Sequence, residues 1–273
     1  MTHTRRQLTA LLHQYGLAPS RALGQNFVVD PNTVRRIARL ADVGPGDHVL
    51  EIGAGLGSLT LALLATGAAV TAVEVDRHVA PVLRQIVEPS GARVIQGDAT
   101  ALEWSSVLSG APTWTLVANL PYNVATPLVL VLLDKVPQIE RMLVMVQREA
   151  GERLASGPGS RTYGIPSVKV AYWAEASVVG RVSPEVFLPR PNVESVLVRI
   201  VRRSRPATDA DADRLFTLVH TAFGQRRKML RRSLAELITV EQLAAADVSP
   251  QSRPEQLSID DWGRLANASE RSR

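Results

Sequence analysis

The 273-residue sequence has no cysteine, which excludes disulfides, thiolate metal sites and cysteine nucleophiles together. Its five histidines are scattered without the spacing of a metal site. No apolar run approaches the roughly 18 residues of a membrane span, and Met1-Thr-His-Thr-Arg-Arg6 leads into no apolar segment of the kind a secretory signal carries. A cytoplasmic protein with no membrane partner is therefore expected. There is no internal repeat and no sustained heptad, so a monomer is expected. Lysine is nearly absent: 28 arginines accompany 3 lysines, a skew that GC-rich coding produces. The net charge of +5 thus hints at a polyanionic partner, but where the arginines cluster matters more than their number.

What is present is an alternation of strands and helices. Asp30-Pro31 opens a helix with an N-cap acid and a proline at its first position, and Val34, Ile37, Ala38 and Ala41 form its apolar stripe. Arg35, Arg36 and Arg39 then face away, as a solvated surface. Strand-like runs at 48–52, 69–73, 93–96, 115–118 and 141–146 are separated by helical segments, which predicts an α/β fold around a parallel, doubly wound sheet. Two further strands, 176–182 and 195–201, are expected to close an edge antiparallel. Residues 202–209 read as a linker and the remainder as helices, one of them at 227–237. The expected division is 1–205 for the sheet domain and 206–273 for a small helical one.

Four strand ends carry chemistry. Gly53-Ala-Gly55-Leu-Gly57 lies between a strand and a helix, where glycines let the backbone approach a ligand. Ser58 takes the place of the last glycine of the dinucleotide fingerprint, favouring a smaller adenosine ligand. Glu74, about 20 residues past the first glycine, is placed for ribose hydroxyls, and Asp98 for an adenine amino group. Asn119-Leu-Pro-Tyr122 ends a fourth strand, where an amide oxygen and a backbone carbonyl can accept from a substrate amine and a ring can stack on a base. A locally packed turn is the competing reading of that tetrapeptide taken alone.

Together with Leu23-Gly-Gln-Asn-Phe27, these motifs resemble the class I S-adenosylmethionine methyltransferases, a Rossmann-like fold. Within them the chain is similar to the ribosomal RNA adenine N6-dimethyltransferases, in the small-subunit (16S) branch. The resemblance runs from Arg21 through Phe187-Leu-Pro-Arg-Pro191 to Ala222-Phe-Gly-Gln-Arg-Arg-Lys228 and Leu257-Ser-Ile-Asp-Asp-Trp262. It implies S-adenosylmethionine contacts at Asn26, Val28, Gly53, Glu74, Asp98 and Asn119, completed by Gly55 and Ala99. It also implies that Asn119, the Pro121 carbonyl and Tyr122 hold the target adenine, with Phe187 on its other face. The implied activity is N6,N6-dimethylation of adjacent adenines near the 3′ end of 16S ribosomal RNA during maturation of the 30S precursor. Ala54 stands where this branch usually has proline, a form frequent in the 23S adenine methyltransferases of macrolide resistance. That 23S activity, a non-catalytic assembly factor and a DNA adenine methyltransferase are the alternatives, the last with too small a second domain. Arg226, Arg227, Lys228, Arg231 and Arg232, expected on one helix face, form the RNA-binding cluster, because five cations in seven residues repel one another without a polyanion. Arg202, Arg203 and Arg205 are expected to extend it.

Overall fold

The computed structural model describes residues 2–270. In chain order its first elements are α1 (Arg5–Gln14), β1 (Phe27–Val28), α2 (Pro31–Ala41), β2 (His48–Ile52), α3 (Ser58–Leu64) and β3 (Ala69–Glu74). Next come α4 (Val79–Val87), β4 (Arg93–Gln96), α5 (Trp104–Val107), β5 (Trp114–Asn119), α6 (Ala125–Lys135) and β6 (Ile139–Gln147). The chain continues through α7 (Arg148–Leu154), α8 (Ile165–Trp173), β7 (Ala174–Val182), β8 (Phe187–Leu188) and β9 (Ser195–Arg202). It ends with α9 (Ala212–Gly224), α10 (Leu230–Ser233), α11 (Val240–Ala245) and α12 (Ile259–Glu270). Among the described residues no helix is long and apolar enough to cross a membrane.

Seven strands form one sheet in the order β4-β3-β2-β5-β6-β9-β7. Strands β2 to β6 pair in parallel, and β9 runs antiparallel to β6. The chain winds outward from β2 through β3 to β4, then returns to place β5 on the other side of β2. That reversal leaves a crevice beyond the carboxyl ends of β2 and β5, where open α/β sheets bind ligands. The N-cap acid expected at Asp30 accepts from the backbone of Asn32 and Thr33, and Val34, Ile37, Ala38 and Ala41 are all buried, packed in one cluster with Leu143, Met145 and Leu197 of the sheet.

The chain forms two compact units, and their boundary differs from the expected one. Residues up to 151 and 177–202 make the first, while 152–176 and 203 onward make the second. Segment 152–176 belongs with the helices because Tyr163, Val168 and Tyr172 share a core with Leu215, Leu218, Val219, Leu234 and Trp262. Ser258 and Asp261 cap α12 reciprocally, as their spacing predicts.

Two arginine expectations change. Arg202 is not linker: its guanidinium donates to the carbonyls of Leu132 (3.1 Å), Leu133 (2.8 Å), Val136 (3.2 Å) and Ile139 (3.0 Å). It caps the C-terminal end of α6, where orphan carbonyls and the helix dipole favour a cation. Arg203 donates to the Ala171 carbonyl and pairs with Glu175, so neither extends a free basic patch. Arg202→Ala is expected to destabilise the protein by about 2 kcal/mol or more, because several carbonyls lose a charged donor at once. Chemical denaturation followed by circular dichroism measures this, and an unchanged midpoint would refute the capping role.

Candidate active site

Three strands deliver their ends to one cleft in the first unit, lined by Asn26, Val28, Gly53, Gly55, Glu74, Asn119, Pro121 and Tyr122 among others. Gly53 follows β2, Glu74 ends β3 and Asn119 ends β5. The glycine turn is shaped for close approach. Gly55 has φ +57°, and a Cβ there would lie 2.9 Å from the Phe27 ring, so a side chain is excluded both by conformation and by space.

Glu74 is buried beside this turn. Its Oε2 accepts from the Gly55 N–H at 2.7 Å and its Oε1 from the Asp76 N–H at 2.9 Å. Each carboxylate oxygen thus keeps a second acceptor site for the hydroxyls of a ribose. Burial pushes the Glu74 carboxyl up from its ordinary value, and the two backbone donors oppose that. Val75, 44% exposed at the cleft rim, offers an apolar surface to a base. A cradle of glycines, a buried carboxylate with acceptor sites left over and an apolar rim fit an adenosine-bearing methyl donor.

The loop bearing Leu23-Gly-Gln-Asn-Phe27 closes the other side. Gly24, at φ +62°, adopts backbone that L side chains rarely take, and a Cβ there would press within 3.1 Å of Pro121. Gln25 donates to Asp76 (2.9 Å), tying the loop to the turn after β3. The Asn119 amide nitrogen donates to the Asn26 carbonyl at 2.9 Å, so its oxygen is the end left to accept. The Tyr122 hydroxyl shares a 2.8 Å hydrogen bond with Ser195 of β9, which holds the ring in the cleft wall.

Other residues sit differently from expectation. The Pro121 carbonyl already accepts from the N–H groups of Val124 (3.1 Å) and Ala125 (3.0 Å) at the start of α6, which occupies both lone pairs. The Leu120 carbonyl, one residue earlier on the cleft wall, accepts from no donor among the described residues. Phe187 is not brought to the cleft. It is 1% exposed and lies opposite Val28 in the β1–β8 pairing, packed with Val34 and Ile37. Asp98 and Ala99 lie past the end of β4, outside the cleft lining, linked to it where the Gly97 N–H donates to the Glu74 carbonyl (3.0 Å). Hydrogen bonds from Thr100 hold the exposed Asp98 carboxyl below its usual range.

Glu51 opens the motif Glu51-Ile-Gly53-Ala-Gly55-Leu-Gly57, but the sequence assigns it no role, since nothing marks an acid inside an apolar strand as part of a site. It lines the cleft, is 2% exposed, and accepts from the Thr60 hydroxyl at 2.6 Å. Burial pushes its carboxyl from 4.5 up to about 8. The folded-state value stands above the unfolded one, so the stability Glu51 contributes is fully present below about pH 4.5 and is lost as pH rises through about 8. Glu51→Gln is expected to flatten that part of the fall in melting temperature between about pH 4.5 and about pH 8. Parallel pH profiles of wild type and variant would refute the assignment.

In the second unit, the helix expected at 227–237 is broken. Helix α9 ends at Gly224, residues 225–229 turn, and α10 covers only Leu230–Ser233. The N–H groups of Leu230 and Arg231 donate to the carbonyls of Ser252 and Pro250 instead of continuing a helix. Arg226 is half-buried, paired with Glu255 at 3.7 Å and bonded to the Arg161 carbonyl at 3.1 Å, so it braces the turn. Arg227, Lys228, Arg231 and Arg232 are exposed, and among the described residues none of them pairs with an acid.

Comparison with known proteins agrees with this geometry. A profile of the family described as "Ribosomal RNA adenine dimethylase" matches residues 19–270. The chain is 48% identical to the ribosomal RNA small subunit methyltransferase A of Kineococcus radiotolerans, over 96% of this chain and 89% of that one. It is equally 48% identical to the Streptomyces coelicolor protein of the same name, over 96% and 93% respectively. Among solved structures, the 23S rRNA methyltransferase ErmE superposes with a TM-score of 0.70 at 26% identity, covering 89% of this chain and 99% of that one. A Plasmodium falciparum dimethyladenosine transferase superposes with a TM-score of 0.74 at 22% identity, covering 86% and 94%, which shows the shared fold. The chain belongs to the ribosomal RNA adenine dimethylase family.

Proposed function

We propose that this protein methylates the N6 amines of adenines in small-subunit (16S) ribosomal RNA, forming N6,N6-dimethyladenine at adjacent adenines near the 3′ end of the RNA in a maturing cytoplasmic 30S particle. S-adenosylmethionine is the methyl donor: when bound it supplies an electrophilic sulfonium methyl. The glycine turn at 53–57, Glu74, Asn26 and Val28 would hold it. The small-subunit relatives at 48% identity support 16S over 23S RNA.

The observation that carries the reading is the fixed orientation of Asn119, whose amide nitrogen is committed to the Asn26 carbonyl while its oxygen remains to accept from an amine. The adenine amine is a poor nucleophile because its lone pair is conjugated into the ring. Accepting its two N–H bonds at the Asn119 oxygen and the Leu120 carbonyl favours a pyramidal nitrogen whose lone pair is exposed. Tyr122, anchored through Ser195, gives the unstacked base a surface and restricts its approach. Most of the rate then comes from alignment, and no strong general base is required. The exposed Arg227, Lys228, Arg231 and Arg232 supply phosphate contacts. Equilibrium dialysis with labelled S-adenosylmethionine tests the donor site. Saturable binding is expected, and its absence would leave a non-catalytic RNA-binding assembly factor.

A further inference from the structure

The three outward arginines of α2 are not an isolated solvated face. Arg36 lies across the strand β7, in space that a side chain at Gly180 would fill, and donates to the Arg181 carbonyl at 3.0 Å. One helical turn on, the Leu40 carbonyl accepts from Arg199 of β9 at 3.1 Å. The Asp42 carbonyl accepts from Arg141 of β6, also at 3.1 Å. In the antiparallel β6–β9 register Arg141 faces Val201 and Leu143 faces Arg199, so the two arginines are diagonal neighbours on one sheet face. Three guanidinium groups from three elements, Arg36 of α2, Arg199 of β9 and Arg141 of β6, are thus fixed around the C-terminal half of α2.

The carbonyls of Leu40 and Asp42 at the end of α2 and of Arg181 in β7 take one N–H from each group. A guanidinium carries five donors, so each keeps most of its fork for a ligand. Among the described residues, Arg141 alone of the three pairs with an acid, Asp47, at 3.5 Å. Backbone carbonyls orient these side chains without neutralising them. A row of pre-oriented guanidinium forks, two of them without an acid partner among the described residues, suits phosphate groups, which they meet bidentately.

The geometry points to a second RNA contact, on the catalytic unit itself: Arg36, Arg199 and Arg141 form a phosphate-binding row for the backbone of the substrate RNA, separate from the 227–232 cluster. This rests on the reading of the protein as a ribosomal RNA enzyme. Filter binding of full-length protein to a small-subunit ribosomal RNA, from about 50 to about 200 mM salt, measures the contact as a slope of log affinity against log salt. The Arg36→Gln/Arg199→Gln double variant is expected to flatten that slope by about 2, close to one unit per lost phosphate contact. Binding of labelled S-adenosylmethionine stays at the wild-type level. The charge-preserving Arg36→Lys/Arg199→Lys variant should keep most of the slope, which separates lost charge from lost fold. Arg84→Gln, on the exposed surface of α4, should leave the slope at its wild-type value. A glutamine double variant that folds, binds the donor and keeps the wild-type slope would overturn the proposal, leaving an acidic protein surface as the occupant. Because wild-type methyl transfer is read in the same preparation, that failure is distinct from failure of the enzymatic reading.

Discussion

Asn119→Ala is expected to reduce methyl transfer by at least about 10³-fold, the scale of losing a positioned acceptor together with the alignment it imposes. The substitution removes the oxygen that accepts from the amine. It also removes the donor to the Asn26 carbonyl, a 2.9 Å bond that joins the Leu23–Phe27 loop to the end of β5. Donor binding should weaken only severalfold, because the glycine turn and Glu74 remain in place. RNA affinity should hold, since the exposed cations are untouched. Single-turnover methyl transfer, run beside dialysis with labelled donor, separates these effects. Asn119→Asp makes the point sharper: it keeps an acceptor but replaces the donor to Asn26 with a second oxygen, so the loop contact becomes repulsive. Activity near the wild-type level in the alanine variant would remove Asn119 from the mechanism.

Glu74→Gln is expected to weaken S-adenosylmethionine binding by about 10- to 100-fold, or about 1.4 to 2.7 kcal/mol. The native carboxylate accepts from Gly55 at 2.7 Å and from Asp76 at 2.9 Å, and keeps further acceptor sites for ribose hydroxyls. An amide has one oxygen. Whichever way it turns, its NH2 group faces a backbone N–H, leaving either the glycine turn or the turn after β3 without its partner. The defect should appear as a raised Kd for the donor and a raised KM, with RNA binding unchanged. A Kd within twofold of wild type would mean that Glu74 holds the turn without touching the ligand.

What the sequence made legible was local. The order of strands, the capping of α2 by Asp30 and the delivery of Gly53, Glu74 and Asn119 to one crevice all follow from short patterns, because a parallel sheet collects its strand ends on one edge. What it hid depended on distant partners. A sequence shows that Leu120 and Pro121 each carry a carbonyl, but not that Val124 and Ala125 occupy the second. Residues 227–237 have the composition of a helix, yet Ser252 and Pro250 take the N–H groups of Leu230 and Arg231 and break it. Phe187 is buried by its pairing with Val28, about 160 positions away in the chain. Arg202 looks like one more cation in a charged linker until four carbonyls converge on it. Segment 152–176 follows the sheet in sequence but packs with α9 and α12, which no local pattern reveals.

The central claim, methylation of adenine N6 in small-subunit ribosomal RNA, is tested most directly by primer extension. Purified protein and S-adenosylmethionine are incubated separately with 16S and 23S ribosomal RNA, each RNA is reverse-transcribed, and donor-dependent stops are mapped. Two methyl groups on N6 block Watson–Crick pairing, so the account predicts new stops at adjacent adenines near the 3′ end of 16S RNA and none in 23S RNA. Stops confined to 23S RNA, or no donor-dependent stop in either, would contradict it.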